Sequence, residues 1–176
     1  METIAEAKEY LRVNWVKGVF CPCCNQRVQK YPININSSLA AALIALHRLT
    51  TENENLFYHV AEITKTANLK SSCAKNFSIL KHWELIVEKP KNEIVDSHKR
   101  TSGFWSITDL GKDFASGKVT VKSHCWLYNK RCWGFLGEDV LIKQCLGEKF
   151  NWEELMQYTR IGGGEFDEDC SSAPSH

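Results

Sequence analysis

Hydrophobic residues recur along the chain at spacings that predict helices joined by short strands. Residues 3–17 carry apolar side chains at helical spacing up to Gly18, which predicts an amphipathic helix. Residues 39–49 are apolar on nearly every side, so we expect this helix to be buried as the central core element. Its N-cap is expected at Ser37 or Ser38, because a hydroxyl can accept a hydrogen bond from a free backbone N–H.

A short strand and two more helices are predicted after the core helix. The strand covers residues 58–60, a short helix covers 61–67, and a longer helix runs from Leu69 or Lys70 to about Trp83. At α-helical spacing, the buried face of the longer helix is expected to consist of Leu69, Cys73, Phe77 and Leu80. The opposite face then carries Ser71, Lys75, Ser78 and His82, with Ser72 and Asn76 beside it.

Strand-like segments and a capped helix come next. Residues 85–89 and 103–107 alternate in character and flank the polar loop 90–102. Thr108 is expected to cap a helix over 109–115. The remaining predicted elements are a strand over 119–121, a hairpin over 126–135 with its turn at Asn129, and helical segments over 139–145 and 152–158. Because helices and short neighbouring strands are mixed along the chain, the predicted fold class is α+β.

The order helix, short strand, two helices, strand, loop and strand resembles a winged helix-turn-helix. The segment 80–86, Leu-Lys-His-Trp-Glu-Leu-Ile, looks like the end of a recognition helix that runs into the first wing strand. The segment 104–112, Phe-Trp-Ser-Ile-Thr-Asp-Leu-Gly-Lys, is similar to the aromatic-x-Ile/Leu-Thr-x-x-Gly sequence that closes the wing in regulators of the MarR and PadR type. The resemblance covers residues 37–118, about half of the chain.

The resemblance implies duplex DNA as a partner, with the longer helix in the major groove and the wing on the backbone. The residues that it assigns to DNA are Lys70, Ser71, Ser72, Lys75 and Asn76 on the helix and Lys99 and Arg100 on the wing. Eight basic and four acidic residues between Lys65 and Arg100 leave a net charge of +4, whereas the tail from Arg160 has one base and four acids. A basic face with a remote acidic tail is typical of proteins that bind a nucleic-acid backbone.

A protein partner is the alternative, because winged helices also serve as interaction and dimerisation modules. The predicted recognition helix has no arginine for guanine and only Asn76 for adenine. The whole chain also resembles phage-encoded proteins of uncharacterised function, which would make it a regulator or an adaptor or inhibitor of a host protein, for example an anti-defence protein. A homodimer is a further possibility, since helices that flank a winged helix can pair two copies.

A cluster of cysteines near the N-terminus resembles a zinc knuckle. The chain has eight cysteines, and thiols of a cytosolic protein stay reduced, which favours metal binding or burial over disulfides. In the segment 21–25, Cys-Pro-Cys-Cys-Asn, Cys21 and Cys24 have the spacing of two ligands of one Zn²⁺ ion. Asn25 tolerates the left-handed backbone that follows the second ligand. The alternative is that Cys23 and Cys24 are ordinary small buried residues.

Four ligands are needed for a structural zinc ion, so two more must come from elsewhere. Cys125 and Cys132 complete the predicted set because their spacing suits the two arms of a hairpin, and His124 is a further candidate. Sequence motifs of hydrolases, metalloproteases and thioredoxin-like enzymes are missing, which predicts that the protein is not an enzyme. His47 lies on the core helix and is expected to be a buried histidine with a satisfied hydrogen bond.

Composition divides the chain into four predicted parts. Residues 1–35 form the N-terminal helix and cysteine knuckle, and residues 36–120 form the winged helix. Residues 121–159 form an extension whose aromatic residues are expected to close a second small core against the winged helix. Residues 160–176 have the composition of a disordered acidic tail. Without a secretory start or a long apolar run, the expected location is the cytoplasm, or the host cytoplasm for a phage protein.

Overall fold

Helices and short antiparallel sheets make up residues 3–52, 56–90 and 102–157, which the computed structural model describes. The α-helices are α1 (Ile4–Asn14), α2 (Ser37–Glu52), α3 (Val60–Thr66), α4 (Asp109–Ala115), α5 (Ile142–Leu146) and α6 (Trp152–Gln157). The strands are β1 (Val19–Phe20), β2 (Arg27–Val28), β3 (Tyr31–Asn34), β4 (Tyr58–His59), β5 (Ile86–Glu88), β6 (Phe104–Ile107), β7 (Val121–Tyr128) and β8 (Arg131–Val140). A 3₁₀ helix, Ser71–Trp83, lies between α3 and β5. The predicted α+β class is confirmed.

Two compact units form from interleaved stretches of the chain. Unit 1 consists of Met1–Asn34 and Lys122–Glu138, and unit 2 consists of Ile35–Val121 and Asp139–His176. The predicted extension 121–159 therefore contributes mainly its strands to unit 1 and its helices to unit 2. The predicted tail, 160–176, lies outside the described residues.

Unit 1 contains a two-stranded sheet, β1–β2, and a three-stranded sheet in the order β3–β7–β8. β3 pairs antiparallel with β7, so that Ile33 faces Cys125. Asn129 and Lys130 both have positive φ angles, 47° and 62°, which is the backbone of a two-residue hairpin turn between β7 and β8. The hairpin predicted around Asn129 is thus confirmed, with longer arms.

The core of unit 2 is built around α2, as expected from its apolar sequence. Nine residues of α2 are buried, from Leu39 to Leu49, and the helix contacts α3, α4, α5, α6 and the 3₁₀ helix. The predicted serine N-cap is wrong. Asn36 is the residue directly before α2 and therefore takes the N-cap position. Its side-chain oxygen accepts the hydrogen bond from the Leu39 N–H at 3.0 Å.

A second three-stranded sheet in unit 2 has the order β4–β6–β5. Tyr58 pairs with Trp105 and Ile86 pairs with Ile107, both antiparallel. The hydroxyl of the buried Tyr58 donates to the carbonyl oxygen of Leu49 at 2.7 Å, which ties this sheet to the end of α2. The sheet brings the ends of β5 and β6 together on either side of residues 91–101, which are not described.

The junction of β6 and α4 explains the Thr-x-x-Gly pattern in physical terms. Thr108 caps α4, as predicted, by accepting a hydrogen bond from the Gly111 N–H at 3.0 Å. Thr108 also donates to the carbonyl oxygen of Glu84 at 2.6 Å. Gly111 is buried, and a Cβ added there would overlap the backbone oxygen of Leu85. Glycine is therefore required by close packing of α4 against the start of β5.

The last two helices, α5 and α6, pack on α2 within unit 2. The indole N–H of Trp152 donates to the Ala115 carbonyl oxygen at 3.0 Å, and Arg48 donates to the Leu155 carbonyl oxygen at 3.3 Å. Lys143 pairs with Glu153 at 2.7 Å and lies over the Trp152 ring. These contacts tie α6 to α4 and α2 and join α5 to α6.

The longer predicted helix is present, but its winding and its buried face differ from the prediction. It begins at Ser71 and is a 3₁₀ helix of 13 residues, so side chains align every three residues. The buried row is Phe77, Leu80 and Trp83, which follows that period. Leu69 lies before the helix and is half-buried, so its predicted place on the buried helical face is wrong. The side chain of Cys73 is outside the described set.

Candidate nucleic-acid interface and cysteine pairs

One row of polar side chains runs along the solvent side of the 3₁₀ helix. Ser72, Lys75 and Lys81 are exposed, Ser78 is half-buried, and successive members are three residues apart. In a 3₁₀ helix such side chains eclipse one another, and each step advances about 6 Å along the axis. The backbone positions of Lys75 and Lys81 are therefore about 12 Å apart along the helix, with serine hydroxyl groups between and beside the two side chains.

The residues predicted to bind DNA divide into three groups. Lys70, Ser72, Lys75 and Asn76 are exposed at or near the start of the 3₁₀ helix. Ser71 is the first residue of the helix, and its side chain is outside the described set. Lys99 and Arg100 also lie outside the described residues.

Sequence reasoning at an α-helical period missed Lys81 and misplaced His82. A period of three puts Lys81 in the row with Lys75, and it puts His82 in a different row with Asn76. His82 is half-buried, and its pKa is lowered by burial and by the charge of Lys81. The spacing of Phe77, Leu80 and Trp83 is the sequence pattern that could have predicted this arrangement.

Side-chain contacts hold the end of β5 and the start of β6 next to each other. The backbone N–H of Ser102 donates to a Glu88 carboxylate oxygen at 2.8 Å. The ammonium group of Lys89 lies 5.6 Å from the ring centroid of Phe104 and 6.0 Å from that of Phe57. A cation is thus held on aromatic rings where β5 ends.

The cysteine knuckle in unit 1 has the hydrogen bonding of a thiolate site. It forms the turn between β1 and β2. Two backbone hydrogen bonds of 2.8 Å close this turn: the Cys21 N–H donates to the Gln26 carbonyl oxygen, and the Asn25 N–H donates to the Cys21 carbonyl oxygen. Asn25 has φ 55°, as expected for the residue after the second ligand. Hydrogen bonds from the backbone N–H groups of Cys23 and Cys24 lower the pKa of the Cys21 thiol. Cys23 and Cys24 are exposed, so their interpretation as buried core residues is wrong.

The second predicted pair, Cys125 and Cys132, is also brought together. Burial and the neighbouring Cys132 raise the pKa of the Cys125 thiol to about 12. Cys125 is buried and Cys132 is half-buried on the paired strands β7 and β8. The other candidate ligand, His124, contacts the Ser123 hydroxyl through Nδ1 at 2.9 Å.

These two pairs supply the donor set of a Cys₄ zinc site in two halves. The knuckle fits one half, since N–H groups directed at sulfur stabilise thiolates. Within residues 3–52, 56–90 and 102–157, three or more His, Cys, Asp or Glu side chains do not cluster as metal ligands. The four-cysteine zinc site therefore stays a prediction. Zinc bound there would stabilise the fold of unit 1 rather than supply reaction chemistry.

The histidine of the core helix is only partly satisfied. The ring nitrogen Nε2 of His47 lies 3.4 Å from the Ser116 hydroxyl, whereas Nδ1 is buried and has no hydrogen-bond partner among the described residues. Burial lowers the pKa of His47, and the charges of Lys112 and Lys118 lower it further. Both effects favour the neutral form of the ring.

No protein-family model matches the chain, and searches of curated proteins and of solved structures found no match. Among the described helices, none is long and apolar enough to cross a membrane.

Proposed function

We propose that unit 2 is a winged helix-turn-helix that binds duplex DNA and that the chain is a non-enzymatic transcription regulator. The observation that carries this proposal is the exposed row Ser72, Lys75, Ser78 and Lys81 on the 3₁₀ helix. The sheet order β4–β6–β5, with β4 before this helix and the antiparallel pair β5–β6 after it, supports the same architecture. In a winged helix the helix that precedes the wing strands is the recognition helix, and the proposal gives this role to the 3₁₀ helix.

The chemistry of the row favours contact with phosphates over recognition of bases. Lysine ammonium groups neutralise phosphate charge, and serine hydroxyls donate hydrogen bonds to phosphate oxygens. The helix has no arginine to bind guanine in a bidentate manner, and Asn76 lies in a different row. Binding should therefore be strongly salt-dependent and only weakly selective for sequence.

The test is binding of the full chain to a mixed pool of labelled duplex DNA at two salt concentrations. With about three to five phosphate contacts, the affinity should fall about 40- to 500-fold between 0.05 and 0.2 M salt. The charge-reversal variant Lys75→Glu should weaken binding and reduce the salt slope by about one. Lys149→Glu changes an exposed lysine of unit 2 that is far from the row in sequence, so this variant is the matched control and should bind as the parent does.

Two outcomes contradict the proposal. The first is no binding of the parent protein to duplex DNA at low salt. The second is equal loss of binding in Lys75→Glu and Lys149→Glu, which would place the effect in net charge rather than in the row. Either result would favour the alternative of a protein partner, whose apolar contacts are much less sensitive to salt.

A further inference from the structure

Aromatic rings and cations cluster on one side of the sheet β3–β7–β8 in unit 1. The Trp15 ring packs edge-on against Tyr128 and Trp133, with centroids 5.6 and 5.0 Å apart. The ammonium group of Lys30 lies 5.2 Å from the Trp15 ring and 5.0 Å from the Trp126 ring. These five residues form a continuous surface, here called the aromatic face.

The strand register explains why these side chains share one side of the sheet. The two-residue turn places Tyr128 opposite Arg131, and therefore Trp126 opposite Trp133. Because side chains alternate along a strand, Cys125 and the other intervening residues point to the opposite side. Cys125 and Leu127 are indeed buried.

Two aromatic residues that the sequence assigns to a second small core are open to solvent. Trp133 is 49% exposed and Phe135 is 48% exposed. Exposed aromatic rings that adjoin other aromatic side chains are typical of interaction surfaces. The Trp133 ring is held in place by its indole N–H, which donates to the Tyr128 carbonyl oxygen at 3.3 Å. It is thus an exposed ring in a fixed orientation.

The charge around the aromatic face indicates a polyanionic partner. Unit 1, Met1–Asn34 and Lys122–Glu138, has eight Lys or Arg residues and four Glu residues, a net charge of +4. The strands and turns of unit 1 in these stretches carry the basic residues Arg27, Lys30, Lys122, Lys130 and Arg131. A ligand that offers both negative charge and flat apolar rings is a nucleic acid with unpaired bases.

We propose that the aromatic face binds single-stranded nucleic acid. Bases stack on the exposed Trp133 ring, and the phosphates approach Arg131 and its basic neighbours. Bases within a duplex are already stacked on one another, so this surface selects unpaired strands. This activity belongs to unit 1 and is separate from the duplex binding proposed for unit 2.

The test is fluorescence anisotropy of labelled oligothymidylate and oligouridylate, about 12 nucleotides each, with the full chain. Trp133→Ala should weaken binding of both strands about tenfold or more, while Trp133→Phe should keep most of the affinity because a ring remains. The controls are Phe104→Ala, an exposed aromatic residue of unit 2, and Lys75→Glu in the duplex-binding row. Phe104→Ala should bind single strands as the parent does, and Lys75→Glu should lose much less single-strand affinity than Trp133→Ala.

A folding check keeps the result interpretable. If the circular dichroism of Trp133→Ala differs from that of the parent, the variant Arg131→Glu is used in its place, since Arg131 is exposed at the start of β8. Tighter binding of one of the two oligonucleotides would identify DNA or RNA as the preferred strand, and either preference supports the proposal. Three results would overturn it: no binding of the parent at low salt, parental affinity in folded Trp133→Ala and Arg131→Glu, or equal displacement of the strand by polyglutamate.

The duplex assay is a separate measurement, so the two proposals can fail independently. Trp133→Ala should bind duplex DNA as the parent does, whereas Lys75→Glu should not. If single strands bind and duplexes do not, only the function proposed for unit 2 is lost. If duplexes bind and single strands do not, only this inference is lost.

Discussion

At the scale of single residues, Thr108 joins two elements of unit 2 with one hydroxyl group. The hydroxyl oxygen accepts a hydrogen bond from the Gly111 N–H, and the O–H donates a hydrogen bond to the Glu84 carbonyl oxygen. Glu84 ends the 3₁₀ helix in a left-handed conformation, φ 59°, so its carbonyl lies at a point where regular hydrogen bonding stops. The same side chain therefore begins α4 and secures the end of the 3₁₀ helix.

Replacing Thr108 with valine should lower the free energy of unfolding by about 1–2 kcal/mol, because a cap bond and a carbonyl partner are both lost. Thr108→Ser keeps the hydroxyl and should cost much less. The matched control is Thr120→Val, at an exposed threonine outside any helix, and urea denaturation measures all three variants. Equal stability of the valine and serine variants would show that the hydroxyl is not what matters at Thr108.

The neutral His47 ring predicts a loss of stability in acid. Its folded-state pKa is below the ordinary value of 6.5, so the unfolded chain binds the proton more readily. Stability is therefore fully present above pH 6.5 and falls as the pH is lowered through the folded pKa. His82 has a pKa lowered in the same direction and adds to this slope.

Urea denaturation between about pH 5 and 7.5 measures this effect. His47→Gln should reduce the slope of stability against pH, and His47→Gln with His82→Gln should reduce it further. His124→Gln is the control, since it removes a histidine from unit 1 and should leave the slope of unit 2 as it is. An unchanged slope in the double variant would contradict the prediction.

At the scale of elements, the winding of the helix Ser71–Trp83 decides which side chains act together. Six residues separate Lys75 from Lys81, which is two full turns of a 3₁₀ helix but about one and two-thirds turns of an α-helix. The two lysines share a face only in the 3₁₀ helix. An α-helix would instead place His82 beside Lys75.

Charge reversal at Lys81 tests this winding together with the proposed function. Lys81→Glu should weaken duplex binding about as much as Lys75→Glu, and the double variant should be weaker still. His82→Gln should leave duplex binding unchanged. The measurement is the salt-dependent binding assay for duplex DNA, with circular dichroism as the check on folding. Parental affinity in Lys81→Glu alongside a loss in Lys75→Glu would argue for an α-helical face.

Local patterns were enough to predict most elements and not enough to predict this winding. The apolar run of α2, the Thr108 cap and the turn at Asn129 depend on residues close in sequence, and all three are present. The choice between periods of 3.0 and 3.6 depends on which rows can pack against other elements. Phe77 contacts Trp105 with ring centroids 6.2 Å apart, and a single sequence does not contain that tertiary contact.

At the scale of the whole molecule, unit 1 is assembled from segments far apart in the chain. The pairing of β3 with β7 brings residues 31–34 beside residues 124–127. The predicted division at residues 35 and 121 follows composition, which carries no information on which distant strands pair. The aromatic face was missed for the same reason: Trp15 and Trp133 meet only after the segments have come together.

The predicted zinc site is the remaining test of this assembly, because its four ligands come from both segments of unit 1. One Zn²⁺ per chain is expected. Zinc content and thermal stability should both fall when serine replaces any one of the four ligands, Cys21, Cys24, Cys125 or Cys132. Since the pKa of Cys125 is about 12, zinc must displace a proton there, so affinity should rise with pH. Cys145→Ser is the control, since Cys145 is half-buried in unit 2. The site would be contradicted if the parent protein contains no zinc and its stability does not change when zinc is added. The two cysteine pairs would then be free thiols that do not share a metal ion.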